Sequence, residues 1–233
     1  MSLVMGVIFD LDGCLVDSEP LSLEAIASEM RMLGIKDATA QEIGNKFLGV
    51  AMPLIADYVS GRLDAPIPNN FVERVETQLL ATYQNELRHI SGSSELLSCL
   101  KAQGCAMAIA TGGSMKRMVA TLEISGLASW FEGTASSVSE VAQGKPAPDI
   151  FLLALDRLRM KPSECVVLED SPHGVKGALA AGIPAIGFVG GSHLEGKRDL
   201  HASILRDAGA THVFERLEDV GRHILAQSKE SQR

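Results

Sequence analysis

The chain has few aromatic residues, few cysteines and no long apolar stretch. Aromatic side chains make up 4% of its 233 residues, so leucine, isoleucine, valine, alanine and methionine must fill the core. The four cysteines form no Cys-x-x-Cys pair and no Cys/His zinc spacing, and free thiols are typical of a reducing compartment such as the cytoplasm. The longest uncharged segment, between Lys176 and Glu195, is interrupted by glycines and a proline, which excludes a membrane-spanning helix there.

An excess of acidic residues limits the partners that the chain can have. It carries 21 basic and 29 acidic residues, for a net charge of −8. Such a charge disfavours nucleic acids and anionic membranes as partners. A small anionic substrate is still compatible, because a local group of donors can outweigh a distant net charge. The length and the 46% hydrophobic content suit an α/β domain with a smaller second domain.

Short apolar runs alternate with longer amphipathic segments. The runs are residues 6–9, 106–110, 165–168, 185–189 and, more weakly, 212–214. Most are apolar on both faces, as expected of parallel strands covered by helices on each side. Helical patterns lie between them at 93–103, 115–126, 149–159 and 173–181, and Gly104, Gly126 and Gly182 stand where C-terminal caps would. The alternation predicts a doubly wound, Rossmann-like α/β sheet.

One segment interrupts this alternation with helical patterns alone. Between about residues 18 and 88, Phe71, Val75, Leu79 and Tyr83 recur at near-ideal helical spacing. We therefore predict a core domain of residues 1–17 and 89–233 and a small helical cap domain of residues 18–88 inserted after the first strand. An insert at this position would lie above the carboxyl ends of the strands, where such folds bind ligands.

The first apolar run leads directly into two carboxylates, Asp10 and Asp12, followed by Gly13. Positions two apart in an extended chain face the same way, so the two side chains should converge at the end of the strand. Neighbouring carboxylates repel, which raises one pKa unless a cation intervenes. The pattern indicates a divalent metal site, or a nucleophile beside a proton-transferring group. The alternative is an acidic turn with Asp12 and Gly13 at its corner.

A hydroxyl and two glycines follow the second run. Thr111 and Gly112 would offer a hydroxyl and backbone amides to an anion at the start of the next helix. Thr111 alone would serve equally well as the cap of that helix.

Two later loops carry a cation and a second acidic pair. Lys145 begins a proline-rich loop that ends at Asp149, the expected cap of the next helix, and it could neutralise a transferring phosphoryl group. In isolation Lys145 would more simply be a solvated surface lysine. Glu169 and Asp170 end the third run and suit a hard cation, or else a capped turn. All these groups follow apolar runs or precede helices, and a parallel sheet gathers such positions along one edge.

With these residues in place, the sequence resembles the haloacid dehalogenase superfamily of phosphotransferases over essentially its whole length. Asp10-Leu11-Asp12-Gly13 resembles the nucleophile motif, Thr111 the phosphate-binding hydroxyl, Lys145 the motif lysine, and Glu169-Asp170 the distal metal acids. Asp17-Ser18-Glu19 is similar to the branch that contains β-phosphoglucomutase and the sugar-phosphate phosphatases. The resemblance implies an α/β core with a helical cap.

The resemblance also implies a catalytic arrangement. Asp10 would attack phosphorus and form an aspartyl-phosphate, and Asp12 would protonate the leaving oxygen and later accept a proton from water. Thr111, Gly112 and Lys145 would bind the phosphoryl oxygens.

A magnesium ion is part of the same implied arrangement. Asp10, the main-chain carbonyl of Asp12 and Asp170 would hold Mg²⁺, with Glu169 assisting either directly or through water. The ion would lie between the anionic nucleophile and the anionic phosphate.

We predict a Mg²⁺-dependent phosphatase acting on a small phosphorylated metabolite, such as a sugar or sugar-acid phosphate. A phosphomutase of the β-phosphoglucomutase type is the first alternative, and a non-catalytic binding protein of the same fold is the second. Positions that align with the mutase's phosphate-binding cap residues carry Ser22, Leu48 and Met52, which favours the phosphatase. Together with Glu19 these residues are the expected cap determinants of substrate choice. A monomer or weak homodimer is expected.

Other catalytic motifs are missing from the sequence. It contains no Gly-x-Ser-x-Gly nucleophile elbow and no Gly-x-Gly-x-x-Gly dinucleotide motif. The segment from Gly191 to Arg198 nearly matches a nucleotide-binding loop, but Arg198 stands where a hydroxyl is required. We predict that this segment is an exposed loop.

Overall fold

The computed structural model describes the backbone of residues 5–47 and 52–230, and the side-chain surroundings of residues 5–47 and 54–226. The chain divides into two compact units. One contains Met1–Asp17 and Arg88–Arg233, and the other contains Ser18–Leu87. Within the described ranges, no helix combines the length and the apolar character needed to cross a membrane.

The larger unit is built on one parallel sheet. Over the described residues its strands are β1 (Gly6–Phe9), β2 (Ala106–Thr111), β3 (Ala135–Ser137), β4 (Cys165–Glu169), β5 (Ala185–Phe188) and β6 (His212–Phe214). They pair in the order β3-β2-β1-β4-β5-β6. Residue Gly6 of β1 is level with Ala106 of β2 and with Cys165 of β4, so these three strands begin side by side. Phe9, the last residue of β1, is level with Ile109 and Leu168, so β2 and β4 continue past it by two residues and one residue. The predicted doubly wound sheet is confirmed.

The described secondary-structure elements of the smaller unit are all helices. Its helices are α1 (Glu19–Met32), α2 (Ala40–Phe47), α3 (Met52–Leu63) and α4 (Phe71–Glu86). The predicted stripe of Phe71, Val75, Leu79 and Tyr83 is buried along α4, and α4 packs against α1. The spacing of apolar residues on α4 thus identified its buried face.

Helices cover the sheet of the larger unit. They are α5 (Ser93–Ala102), α6 (Met115–Ile124), α7 (Asp149–Leu158), α8 (Pro172–Ala180), α9 (Arg198–Asp207) and α10 (Leu217–Glu230). Gly104, Gly126 and Gly182 follow α5, α6 and α8 with φ of 74°, 72° and 76°, which is the left-handed conformation that ends helices. The expectation that Asp149 caps α7 is wrong. Asp149 is its first residue, and its Oδ2 accepts a hydrogen bond from the Gln143 amide at 3.2 Å.

The edge strand β3 was not predicted. Its three residues, Ala135, Ser136 and Ser137, have small or polar side chains, so the segment lacks the large apolar residues that indicate a strand. It forms because its backbone pairs with β2, where Ile109 is level with Ala135. Tertiary pairing therefore overrides a weak local preference.

The chain leaves and re-enters the larger unit at one place. The amide of Asp17 donates to the Arg88 carbonyl at 2.8 Å, and the amide of Ile90 donates to the Leu15 carbonyl at 3.0 Å. An antiparallel bridge joins Val16 to His89 between them. These bonds clamp the two ends of the helical insertion together.

The stability of the smaller unit should depend on the buried face of α4. Val75 is 2% exposed, whereas Val72 on the same helix is 46% exposed. We expect Val75→Ala to lower the free energy of unfolding by about 2 kcal/mol, because it removes two buried methyl groups and leaves a cavity. Val72→Ala makes the same chemical change at the surface and should alter the free energy by less than about 0.5 kcal/mol. Denaturant titration followed by circular dichroism measures both values, and equal losses would contradict the assigned face.

Candidate active site

Asp10 and Asp12 lie on a tight turn at the end of β1. The amide of Asp10 donates to the Leu168 carbonyl at 2.9 Å, which continues the pairing of β1 with β4 by one residue. Gly13 then turns the chain with φ of 78°, a conformation that favours glycine. A Cβ atom at position 13 would lie 2.0 Å from Oδ2 of Asp170. Glycine is therefore required both by the turn and by the close approach of the Asp170 carboxylate.

Lys145 joins the carboxylates at the ends of β1 and β4. Its Nζ lies 2.6 Å from Oδ1 of Asp10 and also contacts Oε1 of Glu169. The Lys145 side chain is 10% exposed, so the reading of this residue as a solvated surface lysine is wrong. Oε2 of Glu169 accepts a hydrogen bond from the Ser171 amide at 3.0 Å. Both oxygens of the Glu169 carboxylate are therefore engaged by the chain itself.

A glycine also makes room for Glu169. A Cβ atom at Gly174 on α8 would lie 1.9 Å from Oε1 of Glu169. The buried carboxylate therefore lies against the backbone of the first turn of α8, where any larger residue would displace it.

The buried charges in this cluster do not balance. Burial is the largest reason that the pKa of Asp10 lies well above its usual range; Lys145 lowers it, and the neighbouring carboxyl groups raise it further. Burial likewise raises the pKa of Glu169 against the opposing effect of Lys145. Burial disfavours the Lys145 ammonium, but Asp10 and Glu169 outweigh that effect and raise its pKa. Asp170 is a third carboxyl group close to Asp10 and Glu169. Three carboxyl groups beside one ammonium group are an arrangement that would suit a further cation.

Asp12 belongs to a separate set of contacts. Its Oδ1 lies 2.7 Å from a terminal nitrogen of Arg117, and its Oδ2 accepts a hydrogen bond from the Thr111 hydroxyl at 3.3 Å. The Thr111 hydroxyl also accepts from the Gly113 amide at 3.0 Å. Ser114, not Thr111, caps α6 by accepting from the Arg117 amide at 3.0 Å. The reading of Thr111 as the helix cap is therefore wrong.

Gly112 lies beside this set without a steric need for glycine. It is exposed, and a Cβ atom at this position would meet nothing within 4 Å. The space around the Gly112 backbone is open, which suits the approach of an anion to the amides at the start of α6.

Sequence reasoning missed Arg117 and His193. Arg117 is the third residue of α6, and helical side chains lean toward the helix N-terminus. Its position therefore indicates a reach toward the strand ends, but not its contact with Asp12 after β1. The predicted exposed loop after Gly191 is partly wrong, because the His193 side chain is 1% exposed and its Nε2 lies 3.4 Å from Oδ2 of Asp170. No local pattern around His193 signals this contact.

The predicted cap determinants lie within the smaller unit or outside the described residues. Glu19 begins α1 and is half-buried, and Ser22 is buried on the same helix. Leu48 lies outside the described residues. Met52 begins α3, and its side chain is likewise outside the described range.

Two acids and a thiol form a possible donor set for a metal ion. Among the described residues, one oxygen of Asp10, one oxygen of Asp170 and the Sγ of Cys14 lie within 4.8 Å of one another. Carboxylate oxygens are the ligands that Mg²⁺ prefers. Burial raises the pKa of the Cys14 thiol well above its usual range, so that this soft group stays protonated beside the two acids. Asp10 and Asp170 therefore fit a hard divalent cation, and the charge imbalance of the cluster agrees with one.

Residues 7–188 match the model of the haloacid dehalogenase-like hydrolase family. The chain belongs to this family. The resemblance inferred from the four motifs is thereby confirmed, and each motif of this haloacid dehalogenase-like hydrolase lies at or next to the carboxyl end of a central strand or in the loop that reaches it.

Two named relatives of this haloacid dehalogenase-like chain are phosphatases. A phosphorylated carbohydrates phosphatase of Thermotoga maritima is 30% identical over 92% of this chain and 99% of its own length. A hexitol phosphatase A of Escherichia coli is 35% identical over 78% of this chain and 81% of its own length. A solved structure of a family hydrolase from Deinococcus radiodurans, with bound phosphate and sodium, has a TM-score of 0.77 and 30% identity and covers 98% of both chains.

Thiol reactivity should follow burial in the four free cysteines. Cys99 is exposed, Cys105 is half-buried, and Cys14 and Cys165 are buried; burial raises the pKa of Cys165 to about 11. At pH 8 we expect Cys99 to react first with a colorimetric disulfide reagent, and Cys14 and Cys165 only after unfolding, because the thiolate is the reactive form. Cys99→Ser should remove the fast phase. A fast phase that instead disappears in Cys14→Ser would contradict the burial of Cys14.

Proposed function

We propose that the chain is a Mg²⁺-dependent phosphatase that hydrolyses a small phosphorylated carbohydrate through an aspartyl-phosphate on Asp10. The chain is a phosphoric monoester hydrolase by family. The observation that supports the mechanism is that the two carboxylates on one turn have different partners. Asp10 is held by Lys145 within the acidic cluster, and Asp12 is held apart from it by Thr111 and Arg117.

In the first step, an oxygen of Asp10 forms a bond to phosphorus while the bond from phosphorus to the leaving oxygen breaks. Lys145 orients the Asp10 carboxylate through its 2.6 Å contact and offsets the negative charge of the phosphoryl group. Asp12 gives a proton to the leaving oxygen, which departs as an alcohol. The amides near Gly112 bind the phosphoryl oxygens. The one hydrogen of the Thr111 hydroxyl is donated to Asp12, so Thr111 is assigned to holding Asp12 and not to binding the phosphate.

In the second step, water attacks the phosphorus of the aspartyl-phosphate. Asp12, now a carboxylate, accepts the proton of that water. The bond between phosphorus and the Asp10 oxygen breaks, which releases inorganic phosphate and restores the Asp10 carboxylate. The same side chain thus serves as acid and then as base, which requires it to stay in one place between the two steps.

Asp10 and Asp170 would hold the magnesium ion, together with the main-chain carbonyl of Asp12. When bound, the ion would supply positive charge that lowers the repulsion between an anionic nucleophile and an anionic phosphate. We assign Glu169 to holding Lys145 in place, because its two oxygens already contact Lys145 and the Ser171 amide.

The substrate class is proposed from chemistry and from the named relatives together. Those relatives are phosphatases of phosphorylated carbohydrates and of hexitol phosphates. A sugar or sugar-alcohol phosphate has a poor leaving group, an alkoxide, which needs the proton that Asp12 supplies. Screening phosphorylated metabolites for phosphate release would identify the substrate.

Replacement of the nucleophile tests the mechanism. We expect Asp10→Asn to reduce hydrolysis of p-nitrophenyl phosphate with Mg²⁺ by at least about 1,000-fold, because an amide is not a competent nucleophile. Asp156→Asn changes an exposed aspartate on α7 and should retain wild-type activity. Phosphate release measured by dye binding gives both rates. Full activity in Asp10→Asn would overturn the proposal, and isomerisation of β-glucose 1-phosphate with a bisphosphate activator would replace it by the phosphomutase.

The metal assignment is tested at Gly13. We expect Gly13→Ala to weaken Mg²⁺ binding by about tenfold or more, because the added Cβ would lie 2.0 Å from Oδ2 of Asp170 and would displace that carboxylate. Gly61→Ala in α3, where a Cβ meets nothing within 4 Å, is the matched control. Isothermal titration of the metal-free protein with Mg²⁺ measures the dissociation constant. Unchanged binding in Gly13→Ala would contradict the assignment of Asp170 as a ligand.

A further inference from the structure

We propose that Arg117 is a positioning residue that orients the Asp12 carboxylate for proton transfer. This inference rests on the proposed function, because it assigns Arg117 a role only through the acid and base chemistry of Asp12. Its starting observation is the 2.7 Å ion pair between Arg117 and Oδ1 of Asp12, in which both side chains are largely buried.

The two oxygens of Asp12 are held from different directions. Oδ1 contacts Arg117 on α6, and Oδ2 contacts the Thr111 hydroxyl at the end of β2. A single contact would let the carboxyl group rotate about its Cβ–Cγ bond, whereas two contacts define its plane. Proton transfer requires a donor within hydrogen-bond reach and in line with the receiving atom, and catalytic groups must hold such geometry to about 0.5 Å.

The position of Arg117 is itself well defined. Its backbone amide donates to the Ser114 side chain at 3.0 Å, which fixes the first turn of α6. Its side-chain stem runs close to the glycine turn, because a Cβ at Gly113 would lie 3.4 Å from both Cδ of Arg117 and the hydroxyl of Thr111. The guanidinium group therefore reaches Asp12 from an anchored helix end.

Two other roles for Arg117 predict different contacts or different effects of its replacement. A cation that binds the transferring phosphoryl group should contact the nucleophile, and here that place is taken by Lys145, which contacts Asp10. A purely structural ion pair would contribute to stability without regard to the substrate. If Arg117 positions Asp12, its replacement should slow phosphoryl transfer most for substrates whose leaving group needs a proton.

The test compares Arg117→Met with the wild type on two substrates. One is the alkyl phosphate that the wild type hydrolyses fastest in the substrate screen, whose leaving group needs a proton. The other is 2,4-dinitrophenyl phosphate, whose leaving group departs without one. Single-turnover rates with enzyme in excess report the phosphoryl-transfer step for each. Lys116→Met removes an exposed charge from the same helix and is the matched control.

We expect Arg117→Met to slow transfer from the alkyl phosphate by about 10- to 100-fold. Its transfer rate with 2,4-dinitrophenyl phosphate should stay within about threefold of the wild type, and its KM for the alkyl phosphate should also stay within about threefold. Lys116→Met should match the wild type on both substrates. Arg117→Lys keeps the charge without the planar fork and should recover part of the alkyl phosphate rate. The double variant of Asp12→Asn and Arg117→Met should be no slower than Asp12→Asn alone.

Several results would overturn the inference. Equal slowing of both substrates by Arg117→Met would identify a structural role, and a raised KM with unchanged kcat would identify substrate binding. If Arg117→Met does not fold, equal slowing of both substrates by Arg117→Lys decides against the inference in the same way. Wild-type activity of Arg117→Met on both substrates would remove this inference and leave the proposed function standing, whereas a wild type that hydrolyses no phosphomonoester would remove both.

Discussion

Three carboxyl groups and one ammonium group share the buried ends of β1 and β4, and the local structure of the site is arranged to keep them there. Burying unbalanced charge is unfavourable by several kcal/mol for each ion unless partners compensate for the lost water. Lys145 supplies the compensation within the chain by contacting both Asp10 and Glu169. What it leaves uncompensated is negative charge, and in the proposed function that remaining charge would attract a cation and, through the cation, a phosphate group.

Small residues make this concentration of charge sterically feasible. Gly13 allows the turn after β1 to approach Asp170, and Gly174 allows the start of α8 to approach Glu169. At both positions a single added carbon would overlap a carboxylate oxygen. The acidic cluster therefore depends on Gly13 and Gly174 as well as on the acids, and the need for each glycine comes from a carboxylate on another segment or earlier in the chain.

The sheet and most of the site could be predicted because they depend on patterns that are local in the sequence. Apolar runs marked β1, β2, β4 and β5, and the polar residues that follow them had to meet at one edge of a parallel sheet. β3 could not be found in this way, because Ala135, Ser136 and Ser137 become a strand only by pairing with β2. The choice of Ser114 over Thr111 as helix cap was also beyond the sequence, since both residue types suit that position.

Contacts between distant segments account for the remaining misses. Arg117 lies 105 residues from Asp12 in the chain, and its role depends on the level at which α6 begins relative to β1. His193 approaches Asp170 only because the loop after β5 folds back toward the turn at Gly13, and a Cβ there would lie 3.2 Å from its ring. Hydropathy and spacing report which face of an element is buried, but they carry no information on which side chains meet across elements.

The clamp between Asp17 and Arg88 has an evolutionary consequence. Two backbone hydrogen bonds and one bridge hold the insertion's ends together. At the larger unit, the two ends of the insertion are therefore joined in the same way as the two strands of a short hairpin. The entropy cost of closing such a loop rises only slowly as residues are added to it, by about 0.6 kcal/mol for each doubling of its length. Helices could therefore be lengthened, exchanged or replaced during divergence while the residues proposed for phosphoryl transfer stayed in register, which would let one scaffold acquire many specificities.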